Sequence, residues 1–243
     1  MSIRSLNPSL HIVSKPFHRP PVNIAIGIRM SVVRLQNGDV FVYGPTPLDN
    51  DTKALVDRLG PVRYIVCPNI VHHLYVKDYQ DAYPAAKVFG VPGLREKRKD
   101  VNFTAILGQD DVNGKPVYGW ENEIDYFVAT GSKNKDVLFF HKPSSALFTA
   151  DLLFNLPAHE QFSGDKKKTE GIVQSVFNRL ANPDSAFHKY FLWYAMTTDR
   201  ANMQAAARKV VNEWKPNVIV PAHGEVLETN ALQKFRQAYE WFL

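Results

Sequence analysis

Two adjacent histidines, His72 and His73, stand just beyond the apolar run Ile65-Val66-Cys67-Pro68. Imidazole is the commonest nitrogen ligand for zinc, iron and copper, and it titrates near neutral pH. To do metal chemistry these histidines need a carboxylate and at least one further histidine. The chain offers both at the ends of apolar runs, as Leu147-Phe148-Thr149-Ala150-Asp151 and as Val218-Ile219-Val220-Pro221-Ala222-His223-Gly224. A sheet that presents ligands at its strand ends holds them firmly while leaving room for substrate. Singly, each signal is ordinary, since an aspartate after a strand often caps or turns and a histidine before glycine is often a turn residue. Together they make a set of two or three imidazoles and one carboxylate. That set suits zinc, ferrous iron or manganese with open positions for water or substrate. Adjacent residues of an extended strand face opposite ways, so His72 and His73 can both reach one point only if their loop has left strand geometry.

Other residues are secondary candidates. His141 ends the expected strand Val137 to Phe140, which pairs naturally with the strand leading to Asp151. It is read as a pocket acid/base or as a partner that orients a ligand. Cys67 is read as a small buried residue, with a ligand or nucleophile as the alternative. Glu225 follows His223-Gly224 and could orient that histidine or act as a base. His11 and His18 have no matched partner, and His159 and His188 fall where the chain reads as helical, so packing or capping roles are expected of them. The dense aromatics Phe187, Tyr190, Phe191, Trp193 and Tyr194 lie between Asp151 and His223, where they could roof an apolar pocket.

Hydrophobic patterning supplies the elements that must position these groups. Strands are expected over Leu10 to Val13, Ile24 to Ile28, Met30 to Leu35 and Val40 to Tyr43, with Asn37-Gly38 as a hairpin turn. From Pro45 to Lys99 strand and helix alternate, as a layered α/β architecture requires. There a capped helix running to Gly60 precedes a buried strand over Val62 to Val66. A helix over Leu74 to Tyr83, a strand over Lys87 to Gly90 and a basic helix follow. Short strands return over Thr104 to Leu107, Ile124 to Val128, Val137 to Phe140 and Ala146 to Thr149. Helices are then expected over Glu170 to Leu180, Ser185 to Met196 and Asp199 to Trp214, with a strand at Val218 to Val220 and a C-terminal helix from about Asn230 to Phe242. This repeated half-pattern suggests two sheets packed face to face with helices outside.

Composition narrows the classes. With 243 residues, 45% hydrophobic and 22% charged, the chain reads as one globular domain over 1–243. No apolar run approaches the ~20 residues of a membrane span, and Met1 to Ser14 lacks the apolar core of a secretory signal. The single cysteine excludes an internal disulfide and fits a reducing compartment, so a cytoplasmic location is expected. The net charge of +5 is concentrated in Arg95-Glu96-Lys97-Arg98-Lys99 and Lys166-Lys167-Lys168. Neither cluster forms the broad, aromatic-interleaved stripe of a nucleic-acid binder. Both are read as solvated surface.

The phrases Leu147 to Asp151 and Val218 to Gly224, with the hairpins of Asn23 to Pro47, resemble the metallo-β-lactamase fold superfamily over nearly the whole chain. The resemblance implies an α/β fold, a four-layer αββα sandwich with its metal centre on the sheet edges. That superfamily's first motif is His-x-His-x-Asp-His. Here Pro68 and Ile70 replace its leading histidines, His72 stands where the aspartate would, and Gly131-Ser132 replaces a later Gly-His. The three lost histidines belong to one metal site. The resemblance therefore implies a divergent, uncharacterised branch that binds one divalent metal through His72, His73, Asp151 and His223; Asp151, and His141 from its strand position, are the catalytic candidates. Zinc is expected, with iron or manganese as alternatives. The expected activity is hydrolysis of an ester, lactone or related bond in a small-molecule substrate, with no nucleic-acid or membrane partner. Iron-dependent oxygenation on the same ligands and a metal-free binding or scaffold protein are the alternatives.

Overall fold

The β-branched runs of the first hundred residues pair into a seven-stranded sheet. The structure, a computed structural model, describes residues 1–21, 23–110 and 117–243, and the side chain of Lys166 lies outside the described residues. The strands are β1 (Ser2–Asn7), β2 (Leu10–Lys15), β3 (His18–Arg19), β4 (Ile24–Ala25), β5 (Ile28–Arg34), β6 (Val40–Tyr43), β7 (Val62–Val66), β8 (Lys87–Gly90) and β9 (Ala105–Ile106). Their order in the sheet is β1-β2-β5-β6-β7-β8-β9, and β3 pairs with β4 in a separate ribbon. The half-exposed edge strand β1 carries too few β-branched residues to stand out in the sequence. The expected strand Ile24 to Ile28 is divided because Gly27, at φ +64°, turns the chain between β4 and β5. The Asn37-Gly38 turn joins β5 and β6 as an antiparallel hairpin.

Beyond β6 the pairing becomes parallel, with helices as crossovers. Helix α1 (Asn50–Leu59) starts where Asp49 Oδ1 accepts from the Thr52 amide at 3.0 Å. Helix α2 (Val76–Ala82) and the single turn α3 (Leu94–Lys97) follow. A second sheet has the order β10 (Ile124–Ala129), β11 (Asp136–His141), β12 (Ala146–Thr149) and β13 (Val218–Pro221), with β12 and β13 parallel. Between those two strands lie α4 (Ile172–Leu180), α5 (Ala186–Tyr190) and α6 (Arg200–Arg208), and α7 (Ala231–Ala238) follows β13. Both α5 and α6 widen into π-type turns, over Phe191–Met196 and Lys209–Trp214.

Period-two alternation explains the layering. Val137, Phe139 and Phe148 enter the core shared with the first sheet. Their neighbours Leu138, Phe140 and Leu147 face outward against Met203 of α6 and Phe235 of α7. Leu55 of α1 and Val76 of α2 pack onto the first sheet's strands. The result is the expected αββα sandwich. Among the described residues no helix is long and apolar enough to cross a membrane.

The helical segment carries a buried titratable group. His188 is inaccessible on α5, and its Nδ1–H donates to the Leu180 carbonyl at 3.0 Å, leaving Nε2 buried without a partner. Protonation would place a charge there with nothing to receive it, and burial accordingly pulls the pKa down to about 4. Between the unfolded value near ~6.5 and that folded value, the unfolded chain binds the extra proton. Stability is thus lost as pH falls through this window, by about 2–3 kcal/mol at pH ~4.5 from this residue alone. Urea denaturation at pH 7 and 4.5 should show a smaller loss for His188→Leu than for the natural chain, and equal losses would refute this account.

Candidate metal centre

The parallel strands β7, β12 and β13 end at one edge of the sandwich, where three loops meet. The loop after β7 is tied across to the second sheet, since the Val137 amide donates to the Pro68 carbonyl at 2.8 Å and the Ile70 amide to Asn134 O at 3.0 Å. Within that loop Asn69 Oδ1 accepts from the Val71 and His72 amides at 2.9 and 2.8 Å. This side-chain turn takes the chain out of strand geometry. It delivers His72 inward.

His72, Asp151 and His223 converge. His72 Nε2 lies 3.1 Å from His223 Nε2 and 3.4 Å from Asp151 Oδ1, and His223 Nε2 lies 3.3 Å from the same oxygen. Ligands held at about 2.0–2.1 Å from a tetrahedral metal stand about 3.3–3.4 Å apart. The three donors therefore have the spacing of three corners of such a shell. Their lone pairs are also set. The Gly27 carbonyl, 2.7 Å from His223 Nδ1, can only accept, so Nδ1 carries the proton and the neutral ring presents Nε2 unprotonated to the cluster. Asp151 Oδ2 accepts from Asn69 Nδ2 and Asn134 Nδ2, both at 2.7 Å, which leaves Oδ1 for the histidines. The residues fit one cation.

A buried carboxylate stands behind the cluster. Asp136 Oδ1 accepts from Asn69 Nδ2 and from the Asp151 amide, both at 2.9 Å, and its Oδ2 accepts from Ser132 Oγ at 3.0 Å. Burial, then the charge of Asp151, pushes the Asp136 carboxyl up to about 7. Burial would raise Asp151 as well, but His72 and His223 hold it well below the usual carboxylate range. Burial opposes a charge on His72, yet Asp151 outweighs it and raises that imidazole above its ordinary value. His223 shifts downward, from burial and from the charge of His72. With no cation bound, these shifts favour a proton on His72 in its place.

The His-Gly pair has its own geometric cause. Gly224 sits at φ +89°, where a Cβ would lie 2.1 Å from the Asn155 carbonyl oxygen. Only glycine lets the chain turn there. The Phe154 ring stacks on His223 with centroids 5.0 Å apart and planes 9° from parallel, and so limits the tilt of the imidazole.

Two expected site residues lie elsewhere. His73 turns away from the cluster, where Arg98 Nη1 donates to its Nδ1 at 3.1 Å and also to its carbonyl. Burial, with the charges of Lys97 and Arg98, lowers His73 to about 4. The reason is local, because the Asn69 turn swings His72 inward and the next side chain leaves on the other side. His141 is buried at the far end of β11 from Asp136, five residues or about 17 Å of strand away. Its Nδ1 is 2.7 Å from Ser144 Oγ, a local turn contact rather than a place at the cluster.

The remaining candidates have structural contacts. Burial raises the Cys67 thiol to about 12, and Glu225 Oε1 accepts from the Glu160 amide. His159 pairs with Thr169, and His18 packs edge-on against Phe162. The first basic cluster is partly anchoring, since Lys97 Nζ donates to the Ile70 carbonyl at 3.0 Å and Arg98 holds His73. Asn69, Asn134 and Asp136 carry little sequence signal of their place at the site. Pro68-Asn69 in a loop is a weak turn signal, and the others carry none.

The cluster opens into a cleft of about 140 Å³ walled by Phe17, Ile26, Ile28, Pro45 and Leu74, with Arg19 at its side. No curated protein sequence matches the chain. Solved structures do. The DIM-1 metallo-β-lactamase exposed to ceftazidime aligns with a TM-score of 0.63 at 13% identity, covering 99% of this chain and 96% of that one. A metallo-β-lactamase from Hirschia baltica aligns at 0.62 and 11%, covering 99% and 97%. The mono-zinc form of FIM-1 from Pseudomonas aeruginosa aligns at 0.62 and 9%, covering 99% and 94%. At such identities the likeness is one of fold. Residues 20–169, more than half of the chain, match the family described as Domain of unknown function (DUF4336). The chain belongs to that family, and it is a divergent protein of the metallo-β-lactamase fold.

Proposed function

We propose that residues 1–243 act as one metallo-hydrolase domain with a mononuclear site, cleaving an ester, lactone or related bond of a small molecule. The observation that carries this reading is the three-cornered set of donors, His72 Nε2, His223 Nε2 and Asp151 Oδ1, separated by 3.1–3.4 Å. When bound there, zinc would supply a water acidified toward pH ~7 and a Lewis acid for a carbonyl. The chain's own residues do the rest. Asn69 and Asn134 keep Asp151 Oδ1 turned to the histidines, and the Gly27 carbonyl keeps His223 in the tautomer that can ligate. Phe17, Ile26 and Leu74 give the cleft apolar walls against which the non-reacting part of a substrate would pack. Two imidazoles and one carboxylate are also the donor set of non-haem iron oxygenases, so iron in the site would favour oxidation. The preferred partner is a small molecule rather than a nucleic acid or a membrane.

Elemental analysis of protein purified without chelators tests this reading. About one equivalent of zinc is expected, lost in His72→Ala and His223→Ala and kept in His73→Ala. Two equivalents, or none after reconstitution with folded variants, would overturn it.

A further inference from the structure

Helix α4 is built inside out. Its buried anchor is Gln174, whose Oε1 accepts from the Ala25 amide at 2.8 Å and whose Nε2 donates to the Ala25 carbonyl at 3.0 Å, clamping the helix to β4. The aliphatic residues face outward instead, with Ile172, Val173 and Val176 exposed by 89%, 58% and 57%. An ordinary surface helix does the reverse. These side chains form one wall of an apolar groove of about 460 Å³, closed on the other side by Pro20, Pro21 and Ile24.

The groove adjoins the metal centre. Arg19 and Pro20 wall both the groove and the cleft that holds His72, Asp151 and His223. A third cavity, of about 270 Å³, shares Arg19 and Phe177 with the groove and Arg19 and Asp151 with the cleft. Arg19 thus stands where the three spaces meet. Its charge is felt at His72, and among the described residues no carboxylate forms an ion pair with it. A cationic junction between an apolar trough and a ligand cluster suits a molecule with an aliphatic tail and a polar, acyl head.

We propose that this groove binds the aliphatic chain of an acyl ester or thioester whose carbonyl lies at the His72–Asp151–His223 cluster, with Arg19 facing the head. The substrate assignment rests on the hydrolase reading above. For an ester, hydrolysis adds water across the acyl C–O bond, which breaks to give a carboxylate, a proton and an alcohol. The carboxylate product would lie against Arg19. A phospholipid surface and a second copy of the chain are the other possible occupants of an exposed aliphatic face, but neither accounts for its sharing Arg19 and Pro20 with the walls of the cleft.

The test is binding of hexanoate and dodecanoate, as product-like acids, followed by calorimetry below micellar concentrations. Each methylene removed from water multiplies affinity by about 4-fold when fully buried. In a groove open on one side, dodecanoate should bind at least ~30-fold tighter than hexanoate. Val176→Asp and Val173→Asp, at exposed positions, should reduce that ratio to a few-fold while leaving hexanoate affinity unchanged. The ratio should persist in Asp151→Ala, so that failure of the groove and failure of the metal site are read separately. Equal affinity for the two acids would overturn the proposal, as would Val176→Asp leaving dodecanoate binding intact. Loss of sedimentation with phosphatidylcholine–phosphatidylglycerol vesicles, or of a dimer in light scattering, with dodecanoate binding unchanged in that variant, would assign the face to a membrane or to a second copy.

Discussion

Asp151→Asn should abolish metal binding and hydrolysis while leaving the metal-free fold in place. The substitution conserves volume and keeps a carbonyl oxygen for the amide groups of Asn69 and Asn134, which now donate to Oδ2. What it removes is the anionic oxygen that faces both imidazoles at 3.3 and 3.4 Å. It also removes one of two neighbouring buried carboxylates, so the repulsion that helps raise Asp136 is relieved and offsets the loss of the contact with His72. The two effects separate in a thermal melt. A ligand at 100 times its Kd stabilises the folded state by about 2.7 kcal/mol, which for a chain of this size raises Tm by about 5–10 °C. Zinc should produce that rise in the natural protein and none in Asp151→Asn, whose metal-free Tm should stay within about 3 °C of the original, or about 1 kcal/mol. Hydrolysis of an acyl ester should fall at least ~10³-fold, the loss expected when several kcal/mol of metal assistance is withdrawn. A variant that still responds to zinc would remove Asp151 from the ligand set.

Much of this architecture is legible in the sequence, and the parts that are not share a cause. His72, Asp151 and His223 each follow an apolar run, so the strand that aims each of them announces it. The αββα layering is legible because Val137 to Phe140 and Ala146 to Thr149 alternate between two cores. What stayed hidden depends on contacts between elements far apart in the chain. The choice of His72 over His73 is set locally by the Asn69 turn, but what holds His73 away from the cluster is Arg98, 25 residues beyond it. Asp136 gains its role only because β11 starts beside the loops that carry Asn69 and Asp151. His141 misleads for the converse reason, since membership of the right strand says nothing about which end of it reaches the site. The outward face of α4 is hidden too, because the contact of Gln174 with Ala25 that turns Ile172, Val173 and Val176 outward joins residues 149 apart in the chain.

Arg29→Met should destabilise the protein by about 3–5 kcal/mol, the range for breaking a buried ion pair by removing one partner. The Arg29 side chain is inaccessible, and burial lowers its pKa to about 10, against the pull of Glu160 and Glu225, so it stays charged at neutral pH. Its planar fork meets several acceptors at once. Nη1 donates to the Pro221 and Gly224 carbonyls at 2.8 and 2.5 Å, Nε to Ser14 Oγ at 3.0 Å, and Nη2 reaches Glu160 at 3.3 Å. Methionine fills most of the volume but leaves the Pro221 and Gly224 carbonyls without the Arg29 donor, and Glu160 keeps Arg4, also at 3.3 Å, as its one ion-pair partner among the described residues, beside the Ser14 hydroxyl at 3.2 Å. The carbonyls that Arg29 holds flank His223, and two residues before Arg29 the Gly27 carbonyl fixes that histidine's tautomer. One short segment thus braces the ligand loop twice. A chemical denaturation midpoint should show the stability loss, and any variant protein that folds should bind zinc about 10–100-fold more weakly, as when the partners that orient a ligand are removed. Arg29→Lys should rescue little of either, because a single ammonium cannot reproduce the fork. If lysine restored both stability and zinc affinity, charge alone would be sufficient and the bracing of His223 by Arg29 would be wrong.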